Sequence, residues 1–166
     1  MARIRYARVE DAASLVWLFK QLDEETNFML FEPQERTITE EQQANRLMAF
    51  EGSPTETMFV AESNGTILGF VVGIGGSANR NRHSLSIVIG VLRAHWNKGV
   101  GRELMQSVEA WAQAKNMHRL ELTVMAHNTQ AITFYEKHGF GREGIKCDAL
   151  WVEGKYVNET YMSKLI

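Results

Sequence analysis

Cysteine is almost absent: Cys147 is alone among 166 residues, so no intrachain disulfide can form, and a reducing compartment is expected. A basic surplus is also missing. Eighteen Lys and Arg stand against 20 Asp and Glu, and a net charge of −2 argues against a general nucleic-acid binder. No stretch approaches the roughly 20 apolar residues of a membrane span. The start, MARIRYARVEDA, lacks the apolar segment of a secretory signal. The two prolines, Pro33 and Pro54, both fall between periodic segments. There is no G-x-x-x-x-G-K-[ST] phosphate loop. Gly73-Ile74-Gly75-Gly76 makes no dinucleotide fingerprint, because no helical pattern follows it. His127 and His138 are spaced like neither metal ligands nor the base of a nucleophile, and read as surface or capping residues, so no metal is expected. What remains is an ordinary soluble balance, 45% hydrophobic and 23% charged. The length suits one domain, residues 1–166, with a sizeable core. A cytoplasmic globular protein is the expectation.

The periodicities order this domain. ARIRYAR alternates as a strand, and from Asp11 to about Asp23 apolar residues recur at helical spacing. DEETNFMLFEPQER has no clean period and predicts a loop over a pocket or an irregular connector. Thr39-Glu40-Glu41-Gln42 has the form of a capping box and opens a helix to about Phe50. TMFVAES and TILGFVVGIG flank Asn64-Gly65, the signature of a type I′ hairpin turn. HSLSIVIGV is a further strand, where Gly90 suggests a bulge or a close backbone approach. A helix from about Val100 to Lys115, the strand RLELTVM and a short helix capped by Asn128 and ended by Gly139 follow. The tail reads as a hairpin around Glu153-Gly154. Cys147, with no base near it in sequence, reads as a small buried residue. The fold class is α/β, in the sense of a single mixed sheet flanked by helices.

One stretch, WNKGVGRELM, joins a β-branched strand to a long amphipathic helix through two glycines and no acid. A helix N-terminus offers unpaired N–H groups and a partial positive charge, and glycine lets the backbone approach a ligand. Asn97, Lys98, Gly99, Val100, Gly101 and Arg102 therefore read as an anion seat, mostly built from main-chain N–H groups. By themselves the two glycines equally fit a turn made tight for packing.

About thirty residues on, the strand end VMAHNTQAITFYEKHGF supplies Asn128, then Ala131, Tyr135, Gly139 and Phe140. Together with Gly99 and Gly101 this pattern resembles the GNAT superfamily of acetyl-CoA-dependent N-acetyltransferases, over nearly the whole chain. The resemblance implies a mostly antiparallel sheet with a central splayed parallel pair and about four helices. Glu143-Gly144 and DALWVEGKYVNETYMSKL are similar to bacterial members that acetylate small primary amines, amino acids among them. Two positions depart from the pattern. Trp96 stands where the family carries Gln or Arg, and Thr123 where some members carry a base glutamate.

Acetyl transfer to an amine needs a held donor, a deprotonated amine, stabilisation of the carbonyl oxygen and a proton for the leaving thiolate. The resemblance assigns the carbonyl to main-chain N–H groups around Ile89, Gly90 and Val91, and the thiolate proton to Tyr135. Asn128 would contact the pantetheine arm as well as cap its helix. Without the motif, Tyr135 would read as core with a satisfied hydroxyl. Glu121, on the same strand face as Thr123, is the candidate base, or else a solvated strand residue. The acceptor side falls on Glu24, Glu25, Asn27, Phe28, Met29 and Tyr156, with Tyr161 beside them. An acidic, solvated loop is the plainer account of that segment. The resulting expectation is transfer from acetyl-CoA to a small amine, an amino acid first, then polyamines, amine-bearing antibiotics or herbicides, and protein N-termini. The alternative is a non-catalytic acyl-CoA-binding module acting through a protein partner. No nucleic-acid or membrane partner is expected, and a homodimer is common in the family.

Overall fold

The computed structural model describes residues 1–166. Seven strands, β1 (Arg3–Tyr6), β2 (Glu56–Ser63), β3 (Thr66–Gly75), β4 (Ser84–Val91), β5 (Arg119–Met125), β6 (Gly141–Val152) and β7 (Lys155–Leu165), form one sheet in the order β1-β2-β3-β4-β5-β7-β6. Every neighbouring pair is antiparallel except β4–β5. Four helices flank the sheet: α1 (Ala12–Glu25), α2 (Glu40–Phe50), α3 (Val100–Ala114) and α4 (Thr129–Lys137).

Local chemistry accounts for the boundaries. Thr39 accepts from the Gln42 N–H at 3.1 Å while the Gln42 side chain accepts from the Thr39 N–H at 2.9 Å, closing the capping box that starts α2. Asn64 and Gly65, at φ 50° and 77°, make the two-residue β2–β3 turn; Glu153 and Gly154, at 49° and 78°, do the same for β6–β7.

The centre of the sheet is buried on both faces. Phe59, Ala61 and Val71 point into a core with Leu104, Met105, Val108 and Trp111 of α3. Met58, Val60, Phe70 and Val72 alternate with them and meet Leu15, Leu18, Leu22 and Leu47 of α1 and α2. Those two helices cover β2, β3 and the Gly90 end of β4. Beyond that cover, on their side of the sheet, Ser86, Val88, Thr123 and Tyr161 are exposed.

Two expectations need correction. Gly90 makes no bulge: the β3–β4 register runs unbroken from Gly75↔Leu85 to Gly69↔Val91. A Cβ at Gly90 would lie 2.8 Å from Phe70 and 2.9 Å from Leu22, so α1 packing against the sheet by itself requires the glycine. Cys147 is exposed, because β6 is an edge strand whose register slips between Lys146 and Leu150.

Candidate active site

The parallel β4–β5 pair closes over only three rungs, the last being Ser86↔Glu121, and then the strands part. The Leu92 N–H donates to the Leu68 carbonyl at 2.9 Å, continuing the β3–β4 ladder. Alternate residues of an antiparallel ladder turn their backbone polar groups to the same side, so Gly90 and Leu92 face β3, while Ile89 and Val91 face the gap. On the other lip, Ala126 N–H donates to Asn158 O, which leaves Thr123 and Met125 facing the same gap. The sheet thus forks and lines the fork with backbone groups that no strand satisfies. Of the three residues expected to donate there, Ile89 and Val91 are placed to do so. Gly90 is not, because its N–H and C=O belong to the β3 ladder.

The fork leads to the glycine turn. Asn97 and Gly99 both take left-handed conformations, φ 59° and 85°, and α3 starts at Val100 with no side chain capping it. Elsewhere α2 and α4 begin on Thr39 and Asn128, whose side chains accept from the first turn. Gly99 has no such group, so the first N–H groups of α3 are open to an anion. Lys98 and Arg102 are exposed beside them and form no ion pair. The two glycines do different work. Gly99 supplies the dihedral angle; Gly101 leaves room for Phe134 of α4, whose ring would lie 3.3 Å from an added Cβ.

Helix α4 carries the distal motif. Asn128 Oδ1 accepts from the Ala131 N–H at 3.2 Å, leaving its amide N–H groups free. Tyr135 packs edge-on against Phe134 and Phe140, and burial pushes its phenol up to about 12. His138 contacts the Phe134 carbonyl through Nδ1 at 2.7 Å, the capping role expected of it.

Glu121 is not a free carboxylate. Arg119 Nε holds one oxygen at 2.8 Å and Ser86 Oγ donates to the other at 3.2 Å. The same guanidinium grips Glu143 with two bonds of 2.7 and 2.6 Å, and Ser163 also donates to Glu143. These bonds lower the Glu143 pKa to about 2.

The irregular connector after α1 arches to the tail hairpin. Asp23, 1% exposed, and Arg36 pair through bonds of 2.7 and 2.9 Å and tie its two ends. Asn27 Nδ2 donates to Glu153 at 2.6 Å, and the Phe28 ring lies 5.0 Å from that of His127. A cleft of about 560 Å³ adjoins these contacts, lined in part by His127, Asp148, Glu153, Lys155 and Tyr156. Of the acceptor residues expected from sequence, Asn27, Phe28 and Tyr156 converge here. Glu25 does not offer its carboxylate, which takes the Arg93 N–H at 2.8 Å. Met29 packs against the α1–α2 core, while its neighbours Phe28 and Leu30 are exposed. Glu24 is exposed on α1 with no partner, and Tyr161 lies opposite Thr123 on the open face. Glu153, Lys155 and Arg93 escaped notice in the sequence because nothing local distinguishes them from solvated charges.

A family model described as the acetyltransferase (GNAT) family matches residues 15–140. The L-amino acid N-acetyltransferase AaaT of Escherichia coli (strain K12) is 29% identical over 116 residues, covering 68% of this chain and 70% of that protein. The structure of a GNAT-family acetyltransferase from Streptococcus pneumoniae is 33% identical, aligns over 100% of both chains and has a TM-score of 0.96. At 20% identity, yncA from Salmonella typhimurium, solved with its cofactor acetyl-CoA, shares the fold over 99% of this chain and 94% of its own, with a TM-score of 0.87. Fork, open helix N-terminus and the Asn128–Tyr135 helix all lie within the matched residues, and the chain belongs to the GNAT family of acetyltransferases.

Proposed function

We propose that the protein transfers the acetyl group of acetyl-CoA directly to the primary amine of a small acceptor, an amino acid first among them. The observation that carries this is the fork itself: backbone N–H groups of Ile89 and Val91, with no partner strand, lead into an uncapped helix N-terminus. An extended chain carrying amides and ending in a diphosphate fits that pairing. The amides complete the strand edge, and the diphosphate takes the N–H groups from Asn97 to Arg102 with Lys98 and Arg102 as counter-charges.

Acetyl-CoA, once bound, supplies the thioester. The Ile89 and Val91 N–H groups meet the carbonyl oxygen as it gains charge. As the C–N bond forms and the C–S bond breaks, Tyr135 gives its proton to the departing sulfur. A phenol at about 12 keeps that proton at neutral pH. The acceptor ammonium gives one proton to solvent before it attacks, and the nitrogen loses a second as the amide forms. Glu121 sits three residues below Ile89 along the fork, about 10 Å at strand rise, so it accepts that proton through water and not by contact. Arg119 fixes the Glu121 side chain on the open sheet face at 2.8 Å.

In the cleft beside the arch, Lys155 would serve as counter-charge to an acceptor's carboxylate, and Asp148 and Glu153 to its ammonium. The AaaT relative, an amino-acid acetyltransferase by name, supports this choice. Colorimetric thiol release from acetyl-CoA across amino acids, polyamines and aminoglycosides tests the reading. Amino-acid-dependent release is the expected result, and Tyr135→Phe should lower kcat on the order of 100-fold with acetyl-CoA affinity nearly intact. Tight acetyl-CoA binding without release from any acceptor would favour a cofactor-binding module instead.

A further inference from the structure

Trp96 stands where the family motif has Gln or Arg, and its side chain turns back to the strand. The indole N–H donates to the Val91 carbonyl at 2.7 Å. That carbonyl points into the fork, where β5 no longer offers a partner. The peptide joining Val91 to Leu92 is therefore held at both ends, by Leu68 through the Leu92 N–H and by Trp96 through the Val91 oxygen. The ring is held in turn. The Arg93 guanidinium lies 5.5 Å from the ring centroid, the Arg93 N–H donates to the Glu25 carboxylate at 2.8 Å, and its guanidinium donates to the Glu25 carbonyl.

We infer that Trp96 is a positioning residue for acetyl transfer. Its indole occupies the Val91 carbonyl, so that beside the Val91 N–H the β4 lip offers the reacting oxygen no competing lone pair, while the Ile89 carbonyl stays available to an amide of the bound chain. This rests on the acetyl-transfer reading above. A carbonyl left free in the fork would repel the charge that develops on the thioester oxygen, and would compete for the N–H groups of whatever enters.

The test uses Trp96→Phe, which keeps an aromatic ring and removes the donor, and Trp96→Gln, which restores a donor without the ring. Three quantities are measured on the full chain: kcat for thiol release, acetyl-CoA affinity by calorimetry, and hydrogen exchange at the Leu92 amide. For Trp96→Phe the expected result is a kcat lower by roughly 3- to 10-fold, the span of one lost hydrogen bond, with faster Leu92 exchange and an acetyl-CoA Kd within about twofold. Trp96→Gln should recover part of kcat. An unchanged kcat with Leu92 protection intact in Trp96→Phe overturns the proposal. So do losses in kcat and affinity that run in proportion to lost Tm in both variants, since these would mean only that the ring supports the fold. A wild-type protein that releases no thiol from any acceptor overturns the reaction reading and the catalytic part of this inference with it. Leu92 exchange in Trp96→Phe reports separately on whether the indole pins the strand.

Discussion

Gly99 sits at φ +85°, and an added Cβ would meet only the Arg102 guanidinium at an unstrained 3.7 Å, so its requirement is one of backbone angle. Replacing it by alanine should cost about 1–2 kcal/mol through the left-handed conformation and tilt the first N–H groups of α3. The expected outcome is a lower Tm together with a higher KM for acetyl-CoA; an unchanged KM would remove Gly99 from the anion seat. Tyr135 invites a different measurement. Its pKa is raised from 10 to about 12, so any stability tied to its protonated form is complete below pH 10 and lost as pH climbs to about 12. An acid of this strength keeps its proton through pH 10, and kcat should show no alkaline fall due to Tyr135 below about pH 11. A limb near pH 9 that disappears in Tyr135→Phe would show the working phenol to be solvated. Both residues were legible in the sequence, because glycine spacing and the Asn–Tyr interval are local patterns. The use of Gly101 to seat Phe134 was not, since the two residues are 33 positions apart and meet only through the packing of α3 on α4.

Among the elements, the arch from Thr26 to Ile38 depends most on tertiary contacts. It has no regular structure of its own beyond isolated turns, yet Arg36 reaches back to buried Asp23 and lies over the rings of Phe19 and Phe31 at 5.1 and 4.6 Å. Removing one partner of a buried pair leaves a charge uncompensated. Arg36→Ala should therefore destabilise by about 3–5 kcal/mol and loosen the arch, read by denaturant unfolding alongside the acceptor KM. The cleft that the arch adjoins gives a sharper specificity test. If Lys155 holds a carboxylate, Lys155→Ala should raise the KM of an amino-acid acceptor about tenfold and leave that of the corresponding decarboxylated amine unchanged. Equal effects on both would assign the residue to general electrostatics. The elements with their own chemistry, the Thr39 capping box and the Asn64-Gly65 hairpin, formed where the residues predicted them. The arch carries no such chemistry, and its partners Glu153 and His127 lie about a hundred residues or more away.

For the molecule as a whole, one sheet has a covered half and an open half. Helices α1 and α2 close the face of β2, β3 and the Gly90 end of β4, and the same face of the rest of β4, of β5 and of β7 is largely open to solvent. The Arg119–Glu143–Glu121 group lies on that open half and links β5 to β6 across β7, with Ser86 of β4 and Ser163 of β7 adding hydrogen bonds. Glu143 is lowered from 4.5 to about 2, so any stability it lends is present above pH 4.5 and lost as pH falls through about 2. Its carboxylate is well exposed, and exposed pairs contribute no more than about 1 kcal/mol. Thermal melts of wild type and Glu143→Gln should therefore differ by only a few degrees at pH 7 and converge towards pH 2. A constant gap would mean that the substitution acts through packing.

The amino-acid sequence by itself determined the elements, the hairpins, the glycine turn and the pairing of that turn with a distal Asn–Tyr helix. Each of these is written in spacing within a few residues, where backbone dihedral preferences and side-chain period act directly. Only the tertiary structure decided where β4 and β5 part, which backbone groups face the gap, that Gly90 serves Leu22 and Phe70, and that Trp96 turns its indole onto Val91. It also decided that Glu121 is bound to Arg119 and Ser86 instead of standing free. The physical reason is one of distance along the chain. Ladder parity depends on the partner strand's register, and the company a charge keeps depends on elements that meet only after the sheet has closed.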